Sequence, residues 1–320
     1  MREGVFIRKN IEKWKKFQNE PSSDPDEMAE QFIELIDDLG YARTFYPQSR
    51  SVKYLNGLTS RVYLDIYKNK KEKGSRIFQF WKTELPLVIK KNKLPIFWSF
   101  LFFMSFVLIA VISSINDQGF IRGVLGDRYV NMTEDNIASG DPFGVYKSID
   151  KFEMFITIAV HNIKVSFMVF VAGFLGGIGT VWMLFQNGIM VGSFQTMFFL
   201  KDLGWQSVLV IWIHGTLEIS AIIIAGGAGL ILGKSVLFPG TYKRKDSIKA
   251  GVKDGMKLMI GLIPIFIVAG FLEGFITRLT NMPVAVSLCI LLASFSFIIW
   301  YFVYYPEKVY YKQINKLREK

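Results

Sequence analysis

Apolar runs long enough to cross a membrane fill the chain after residue 93, whereas apolar and charged positions alternate before it. A bilayer core needs roughly 20 apolar residues in a helix. Six apolar segments meet or approach this length: 94–115, 155–183, 186–200, 206–233, 257–277 and 283–304. The third has about 15 residues, so it is expected to be a half-length or tilted helix, or a re-entrant segment.

The first 93 residues have the pattern of a helical module with a charged surface. Asp24, Pro25 and Glu27 form a helix start with an N-cap, a proline in the first turn and a following acid. Two apolar stripes at helical spacing come next: Phe32, Leu35, Ile36 and Leu39, then Leu55, Leu58, Val62 and Ile66. Gly40 is expected to loosen or end the first helix, and Gly74 to lie past the second. Since no cluster here has catalytic spacing, packed helices are preferred over an active site.

The basic residues indicate how the segments are oriented. With the N-terminus inside and six crossings, 31 of the 38 Lys and Arg residues fall in the inner parts 1–93, 234–257 and 305–320. Because Lys and Arg accumulate on the cytoplasmic side, both termini are predicted to be cytoplasmic. If 186–200 were re-entrant, the basic stretch 243–257 and the basic tail 305–320 would lie outside the cell. Because that conflicts with the preference of Lys and Arg for the cytoplasmic side, six crossings are favoured.

The predicted fold class is therefore an all-α, polytopic membrane helical bundle of about six transmembrane helices, one of them short. A cytoplasmic helical domain covers 1–93, the transmembrane bundle covers 94–304 with an outer loop over 116–154, and a cytoplasmic basic tail covers 305–320. Short helices are expected in the outer loop. The predicted location is the bacterial inner membrane, so the lipid bilayer is the first expected partner.

Composition agrees with this class and excludes others. The mean hydropathy of +0.30 is too apolar for an ordinary soluble domain. The net charge of +11 is interpreted as the topology signal, and no nucleic-acid partner is expected, since that would need a basic patch on a soluble fold. The single cysteine, Cys289, excludes an intrachain disulfide. The polar, basic start of the chain predicts no cleavable signal peptide.

His214 and Glu218 interrupt the 26-residue apolar run 208–233. A charged residue near the middle of such a helix costs on the order of 2.5–3.5 kcal/mol, and residues four apart share one helical face. That face is therefore predicted to point into the protein, toward a partner or a cavity. Four more polar residues complete the predicted intramembrane polar site: Glu273, Lys164, Asn162 and Asn187. The Lys164 ammonium is expected to pair with a carboxylate of this site or to reach the surface.

Two interpretations of this polar site stay open. An ion pair could hold two helices together, or a carboxylate could handle protons or ions. A metal is not expected, because zinc takes three or four ligands and His161 is the only other histidine. The HGTLE stretch over 214–218 is not the HExxH pattern of zinc proteases, and the chain has neither a P-loop nor a GxSxG motif. Catalytic residues, a cofactor and enzymatic activity are therefore not predicted.

Glycines four apart recur in the apolar segments. The pairs are Gly173 with Gly177, Gly188 with Gly192, Gly229 with Gly233, and Gly270 with Gly274. Such pairs let helix backbones approach closely, because no side chain separates them. Packing within one bundle is the simpler interpretation. Dimerisation is the functional one, so a homodimer or another homo-oligomer is left open.

Several stretches occur together in a recognisable combination. They are FIRKN near the start, DLGYARTFYPQSRSVKYLNGL at 38–58, HNIKVSF at 161–167, FVAGFLGGIGTVWMLFQNGIMVG at 170–192, IHGTLEISAIIIAGGAGLILG at 213–233 and GFLEGFIT at 270–277. Together they resemble the stage II sporulation protein M family of integral membrane proteins. The resemblance implies that the family's recurrent polar positions fall on Asn187, His214, Glu218 and Glu273.

The founding member of that family works beside cell-wall hydrolases during engulfment, as a non-enzymatic membrane partner. The family also occurs in bacteria that make no spores, and the long amino-terminal module of this chain resembles that broader branch. A role in engulfment is therefore not carried over by the resemblance.

Two functions are compatible with the sequence. The first is a non-enzymatic subunit or scaffold of an envelope or cell-wall-associated complex, with envelope or ATPase-associated membrane proteins as partners. The alternative is a proton- or ion-coupled transporter, or a lipid-handling protein, that uses His214, Glu218 and Glu273. A transporter should contain a solvated cavity that reaches Glu218, whereas a scaffold should bury the pair in a closed helix contact.

Overall fold

The chain folds into two helical units. The computed structural model describes residues 2–20, 22, 24–68, 75–147, 150–279 and 282–318. Every regular element in these residues is helical, which confirms the predicted all-α class. The two compact units are Met1–Arg76 and Ile77–Lys320.

Three helices make up the first unit: α1 (Glu3–Asn19), α2 (Pro25–Phe45) and α3 (Arg50–Lys68). The start of α2 is confirmed, because the Asp24 carboxylate accepts a hydrogen bond from the backbone N–H of Asp26 at 3.0 Å.

The glycine expected at the end of α2 does not end it. α2 continues through Gly40 to Phe45, and a side chain at this exposed position would meet no atom within 4 Å. Gly74 lies outside the described residues.

The two predicted stripes form most of the core of the first unit. Its buried members are Phe6, Trp14, Leu35, Leu39, Ala42, Leu55, Leu58 and Val62. Ile36 departs from the prediction, since 45% of its surface is exposed. The Trp14 ring contributes from α1, and its Nε1–H donates to the Asp38 carboxylate at 2.8 Å, so the indole is both buried and hydrogen-bonded.

Eleven further α-helices follow in the described residues; the first crosses the boundary between the units, and the other ten lie in the second unit. In chain order they are α4 (Ser75–Gln79), α5 (Leu85–Lys91), α6 (Lys93–Asn116), α7 (Gln118–Leu125), α8 (Asp127–Ala138), α9 (Lys151–Val171), α10 (Ile178–Leu200), α11 (Gly204–Leu237), α12 (Arg244–Phe271), α13 (Val284–Ile299) and α14 (Tyr305–Arg318). α7 and α8 are the short helices expected in the outer loop. α14 makes the predicted basic tail helical as far as the structure describes it.

The second unit starts before the predicted residue 94. Leu85, Val88 and Ile89 of α5 are buried in the core of the membrane helices. An ion pair of 2.7 Å joins Glu84 to Lys257 of α12. The compact units therefore divide after Arg76 rather than at 93, because the apolar face of α5 packs on the bundle.

Five helical spans are long and apolar enough to cross a membrane. They are Lys93–Asn116, Lys151–Leu175, Gly204–Leu237, Arg244–Thr277 and Val284–Lys316. These spans correspond to the first, second, fourth, fifth and sixth predicted segments. The chain is thus a multi-pass membrane protein.

The break between the second and third segments lies earlier than predicted. Gly176 and Gly177 adopt left-handed φ angles of 66° and 86°, a conformation that glycine reaches without steric cost. The polar Gln186 and Asn187 suggested a boundary at 183–186, but they lie inside α10. α10 has 23 residues, which is about 34 Å, so the helix is longer than the segment of about 15 residues predicted here.

α10 runs parallel to α6 for most of its length. Gly188 lies against Phe103, Gly192 lies against Ala110, and the hydroxyls of Ser114 and Ser193 are 3.2 Å apart. α10 therefore runs along α6 and does not turn back as a re-entrant segment would, although it is not among the five spans that are apolar enough to cross a membrane.

The glycine pairs pack helices within the chain. A Cβ on Gly173 would lie 2.2 Å from the Gly229 carbonyl oxygen, and one on Gly233 would lie 2.4 Å from the Gly177 nitrogen. The pairs at 188 and 192 contact α6, and those at 270 and 274 contact α9. Packing within one bundle accounts for all four pairs, so they are not evidence for self-association.

Two glycines of α11 give a matched test of this packing. A Cβ on Gly229 would lie 2.3 Å from Thr180 Oγ1 and 2.8 Å from the Val169 carbonyl, whereas one on Gly215 would meet nothing within 4 Å. Gly229→Ala should destabilise the purified protein by about 1–3 kcal/mol, the range for overpacking. Gly215→Ala should leave the melting temperature unchanged or raised. Thermal unfolding in detergent, followed by tryptophan fluorescence, measures both, and equal effects would contradict the close packing at Gly229.

Candidate functional site

A cavity of about 610 Å³ lies among the membrane helices. We call it the chamber. Side chains of α9, α10 and α11 form most of its wall, and Val124, Leu125, Tyr129 and Tyr146 of the outer loop line it as well. Its polar and titratable lining residues are Tyr129, Tyr146, Thr157, His161, Asn162, Asn187, Gln195, Trp212, His214, Glu218 and Glu273.

α11 presents His214 and Glu218 to the chamber, as their spacing predicted. Both line the wall together with Gly215. His214 is 4% exposed, so its ring is surrounded by protein. The helix packs against α6, α9, α10, α12 and α13, which makes its face the interior of the bundle.

Glu273 reaches the same place through an irregular turn. α12 gives way to a π-helical turn over Leu272–Thr277. A π turn adds a residue to the helical repeat and changes the direction of the side chains, and such turns are rare and frequent at functional sites. Glu273 Oε2 lies 3.7 Å from His214 Nε2.

The three side chains converge on one point. One ligand atom from each of His214, Glu218 and Glu273 can be chosen so that all lie within 4.8 Å of one another. We call these residues the triad. The sequence argument against a metal counted His214, Glu218 and the only other histidine, His161. The fold adds Glu273, which is 59 positions away from His214.

Thr277 forms a hydrogen bond with Nδ1 of the His214 ring. Its Oγ1 donates to the Leu272 carbonyl at 3.3 Å and lies 2.9 Å from His214 Nδ1. A hydroxyl has one proton, so when Oγ1 donates to Leu272 it accepts from the Nδ1–H of His214. In that tautomer the lone pair of Nε2 points toward Glu273. The 3.7 Å separation is longer than a hydrogen bond, so the two groups do not satisfy each other.

The two asparagines lie on the chamber wall in different states. Asn162 is 6% exposed, and its Nδ2 has no hydrogen-bond partner among the described residues. The amide lies beside the Glu218 carboxylate. Asn187 differs, because its Nδ2 donates to the Met183 carbonyl of its own helix at 2.8 Å.

Lys164 does not belong to this site, contrary to the prediction. Its side chain is exposed and is not part of the chamber wall. The reason is helical geometry, since two positions beyond Asn162 the helix has turned by about 200°. Of the alternatives considered, the lysine takes the one in which it reaches the surface. The described wall of the chamber therefore contains carboxylates but neither Lys nor Arg.

Two lining residues of the chamber are exposed on α9 and α10. They are His161 of α9 and Met190 of α10. On another side Tyr146 covers the triad, with its ring centroid 6.0 Å from that of His214. Burial, followed by the charge of nearby Glu273, raises the pKa of Tyr146 well above its usual value, so this side chain remains a neutral phenol.

Sequence reasoning missed several residues of the wall. Gln195 is a polar residue in an apolar segment, which is the signal that singled out Asn187, and the same signal applies to Thr277, which contacts His214 without lining the chamber. Gln195 has a structural role here, because it accepts from Trp212 Nε1 at 2.8 Å and donates to Ser207 at 2.7 Å. Tyr129 and Tyr146 carried no signal, since nothing in the outer loop shows which residues fold back over the bundle.

Comparison with known proteins agrees with the earlier resemblance. The family described as stage II sporulation protein M matches residues 99–278, and a domain of unknown function (DUF8413) matches residues 4–68. The uncharacterized protein MJ0706 of the archaeon Methanocaldococcus jannaschii is 26% identical over 200 residues, which cover 61% of this chain and 86% of that protein. The uncharacterized protein MJ0793 of the same organism is 30% identical over 125 residues, or 38% and 70% of the two chains. No solved structure matches.

The Thr277 hydroxyl gives a testable contact. Thr277→Val should destabilise the purified protein by about 1–3 kcal/mol, because the buried Nδ1 of His214 loses its hydrogen-bond partner. Thr277→Ser keeps the hydroxyl and should cost clearly less. Thermal unfolding of both variants in the same detergent measures the difference. If serine cost as much as valine, the methyl group rather than the hydrogen bond would be what matters.

Proposed function

The chain belongs to the stage II sporulation protein M family, and we propose that it takes a small cationic solute into the chamber, as a non-enzymatic protein of transporter type. The observation that carries this proposal is the chamber itself. It reaches Glu218 and Glu273 inside the membrane helices, which is the arrangement expected of a transporter rather than of a closed helix contact.

The charges on the wall favour a cation. Two carboxylates point into the chamber, and its described wall has no Lys or Arg. Ionisable residues inside membrane helices are costly and mark ion or substrate pathways. A cleft of one sign of charge with walls of low dielectric raises the local concentration of counter-ions. A positively charged solute would therefore balance the two carboxylates, for which the described wall offers no Lys or Arg.

We also propose that the chain is not an enzyme. The described lining of the chamber contains no Ser, Cys or Lys side chain beside the His214 imidazole, so it lacks the common Ser–His and Cys–His pairs of nucleophile and base. The phenol of Tyr146 is neutral.

A cysteine at Gly215 would test access and charge preference. In a Cys289→Ser background, Gly215→Cys places a lone thiol in the chamber, where a Cβ meets nothing within 4 Å. A cationic, membrane-impermeant methanethiosulfonate should label it faster than the anionic analogue. After correction for intrinsic reactivity we expect at least about a tenfold difference, measured by mass spectrometry in proteoliposomes.

Two further variants control this experiment. Ala225→Cys on the same helix is fully buried in the apolar core and should stay unlabelled. Adding Glu218→Gln and Glu273→Gln to the Gly215→Cys protein should remove the preference for the cationic reagent. If neither reagent reacted at 215, the chamber would be closed to solutes and the transporter proposal would fail.

A scaffold is the second candidate, and the first unit favours it. Met1–Arg76 is a compact unit with its own core, and a domain family separate from that of the bundle matches it. Such a module could recruit an envelope or ATPase-associated protein. Crosslinking of the tagged full-length protein in native membranes tests this. Stoichiometric recovery of such a subunit would support the scaffold, and recovery of this protein alone would count against it.

We further propose that both termini are cytoplasmic. An ion pair between Lys90 and Glu307 joins α5 to α14 at one end of the bundle, and the parts of the chain predicted to be inside carry most of the Lys and Arg. The bacterial inner membrane stays a prediction, and the two similar proteins come from an archaeon.

A further inference from the structure

We propose that the triad of His214, Glu218 and Glu273 binds one divalent first-row transition-metal ion, of the Zn²⁺ or Mn²⁺ class. This inference rests on the proposed function and specifies it, because it names the class of cation that the chamber takes.

The geometry already resembles a set of ligands around one ion. The three ligand atoms lie within 4.8 Å of one another, and His214 Nε2 is 3.7 Å from Glu273 Oε2. Ligand atoms held 2.0–2.2 Å from a tetrahedral zinc lie about 3.3–3.6 Å apart. Small side-chain rotations would therefore bring all three atoms onto a common ion, with no change in the helices.

The hydrogen bonds of Thr277 orient the His214 ring for metal binding. Metal-bound histidines usually donate the other ring N–H to a fixed acceptor, which sets the tautomer and orients the ring. Thr277 Oγ1 is that acceptor, 2.9 Å from Nδ1, and it is itself tied to the Leu272 carbonyl. Nε2 is thereby left with its lone pair facing the two carboxylates.

Charge and ligand type select the ion. Two carboxylates and an imidazole neutralise a divalent cation, whereas the described chamber wall offers the carboxylates no Lys or Arg. Imidazole suits zinc and other transition metals, while magnesium and calcium prefer all-oxygen sites. A mixed set of one nitrogen and two carboxylates therefore favours a first-row transition metal.

Asn162 is an independent sign that something is bound beside the triad. Its Nδ2 is buried and has no partner in the described part of the chain, and an unpaired buried donor is costly. A carboxylate oxygen drawn onto a metal, or a water bound to that metal, would give the amide the acceptor that it lacks.

Metal binding to the purified full-length protein tests the inference. Protein in detergent is freed of metal with a chelator, equilibrated with Zn²⁺ alone, and analysed for bound metal by mass spectrometry. We expect one ion per chain, with at least about tenfold weaker binding in Glu218→Gln and in Glu273→Gln. Thr277→Val should also weaken binding by about 10–100-fold, as loss of an outer-shell partner does. Co²⁺ should give the visible absorption bands of a site with mixed nitrogen and oxygen ligands.

The controls separate a specific site from general affinity. Glu153→Gln removes an exposed carboxylate at the start of α9, away from the chamber, and should bind Zn²⁺ like the unchanged protein. Melting temperatures of the variants show whether lost binding reflects lost folding. Substoichiometric Zn²⁺ in the unchanged protein, equal loss in Glu153→Gln, or equal affinity for Mg²⁺ would each overturn the inference.

The cysteine experiment distinguishes this inference from the function it rests on. Saturating Zn²⁺ should slow labelling of Gly215→Cys, because Gly215 adjoins the triad on the chamber wall. If the cationic reagent labels this thiol preferentially but no metal binds, the chamber function stands and the metal site is wrong. If neither occurs, both are wrong.

Discussion

The absence of water inside a bilayer is the constraint on which this structure depends. Every backbone group there must be satisfied within a helix, and most ionisable side chains face the protein interior or a cavity. α11 meets both demands at the centre of the bundle. Its glycines let the turn between α9 and α10 approach closely, and its His214 and Glu218 face the chamber. One part of α11 therefore packs closely against a neighbouring backbone, and another part of the same helix lines the chamber.

Irregular backbone appears where the fold needs to change direction. The Gly176–Gly177 turn lets α10 return along α6 rather than continue from α9. The π turn over Leu272–Thr277 brings both Glu273 and Thr277 to His214. A regular helix would repeat every 3.6 residues, so the one-residue insertion of the π turn determines which side chains reach the chamber. The same turn supplies an acid and the hydroxyl that orients the imidazole.

Local signals predicted much of this architecture, and long-range contacts explain what they missed. The cap at Asp24 and the stripe from Leu55 to Val62 depend on neighbours within a few residues, so sequence spacing was sufficient. The inward face of His214 and Glu218 followed from the energetic cost of burying charge in lipid. The same cost placed Glu273 in the predicted site, but the π turn that brings it to His214 leaves no trace in the sequence. Lys164 was assigned to the site because its cost demanded a partner, but its side chain is exposed and lies outside the chamber wall.

The chamber and the first unit divide the chain in a way that bears on both candidate functions. The family match over 99–278 contains the whole triad and Asn162, whereas the first unit matches a different domain over 4–68. A binding site carried by the bundle does not require the first unit, and a recruiting module does not require the chamber. The two functions are therefore compatible in one molecule. A cation bound between α11 and the π turn would link these two elements of the bundle. If cation binding affected a recruited partner protein, the effect would have to start from this link. The triad is thus the place where a transporter and a scaffold differ most, because only one of them needs it to be reached by solutes.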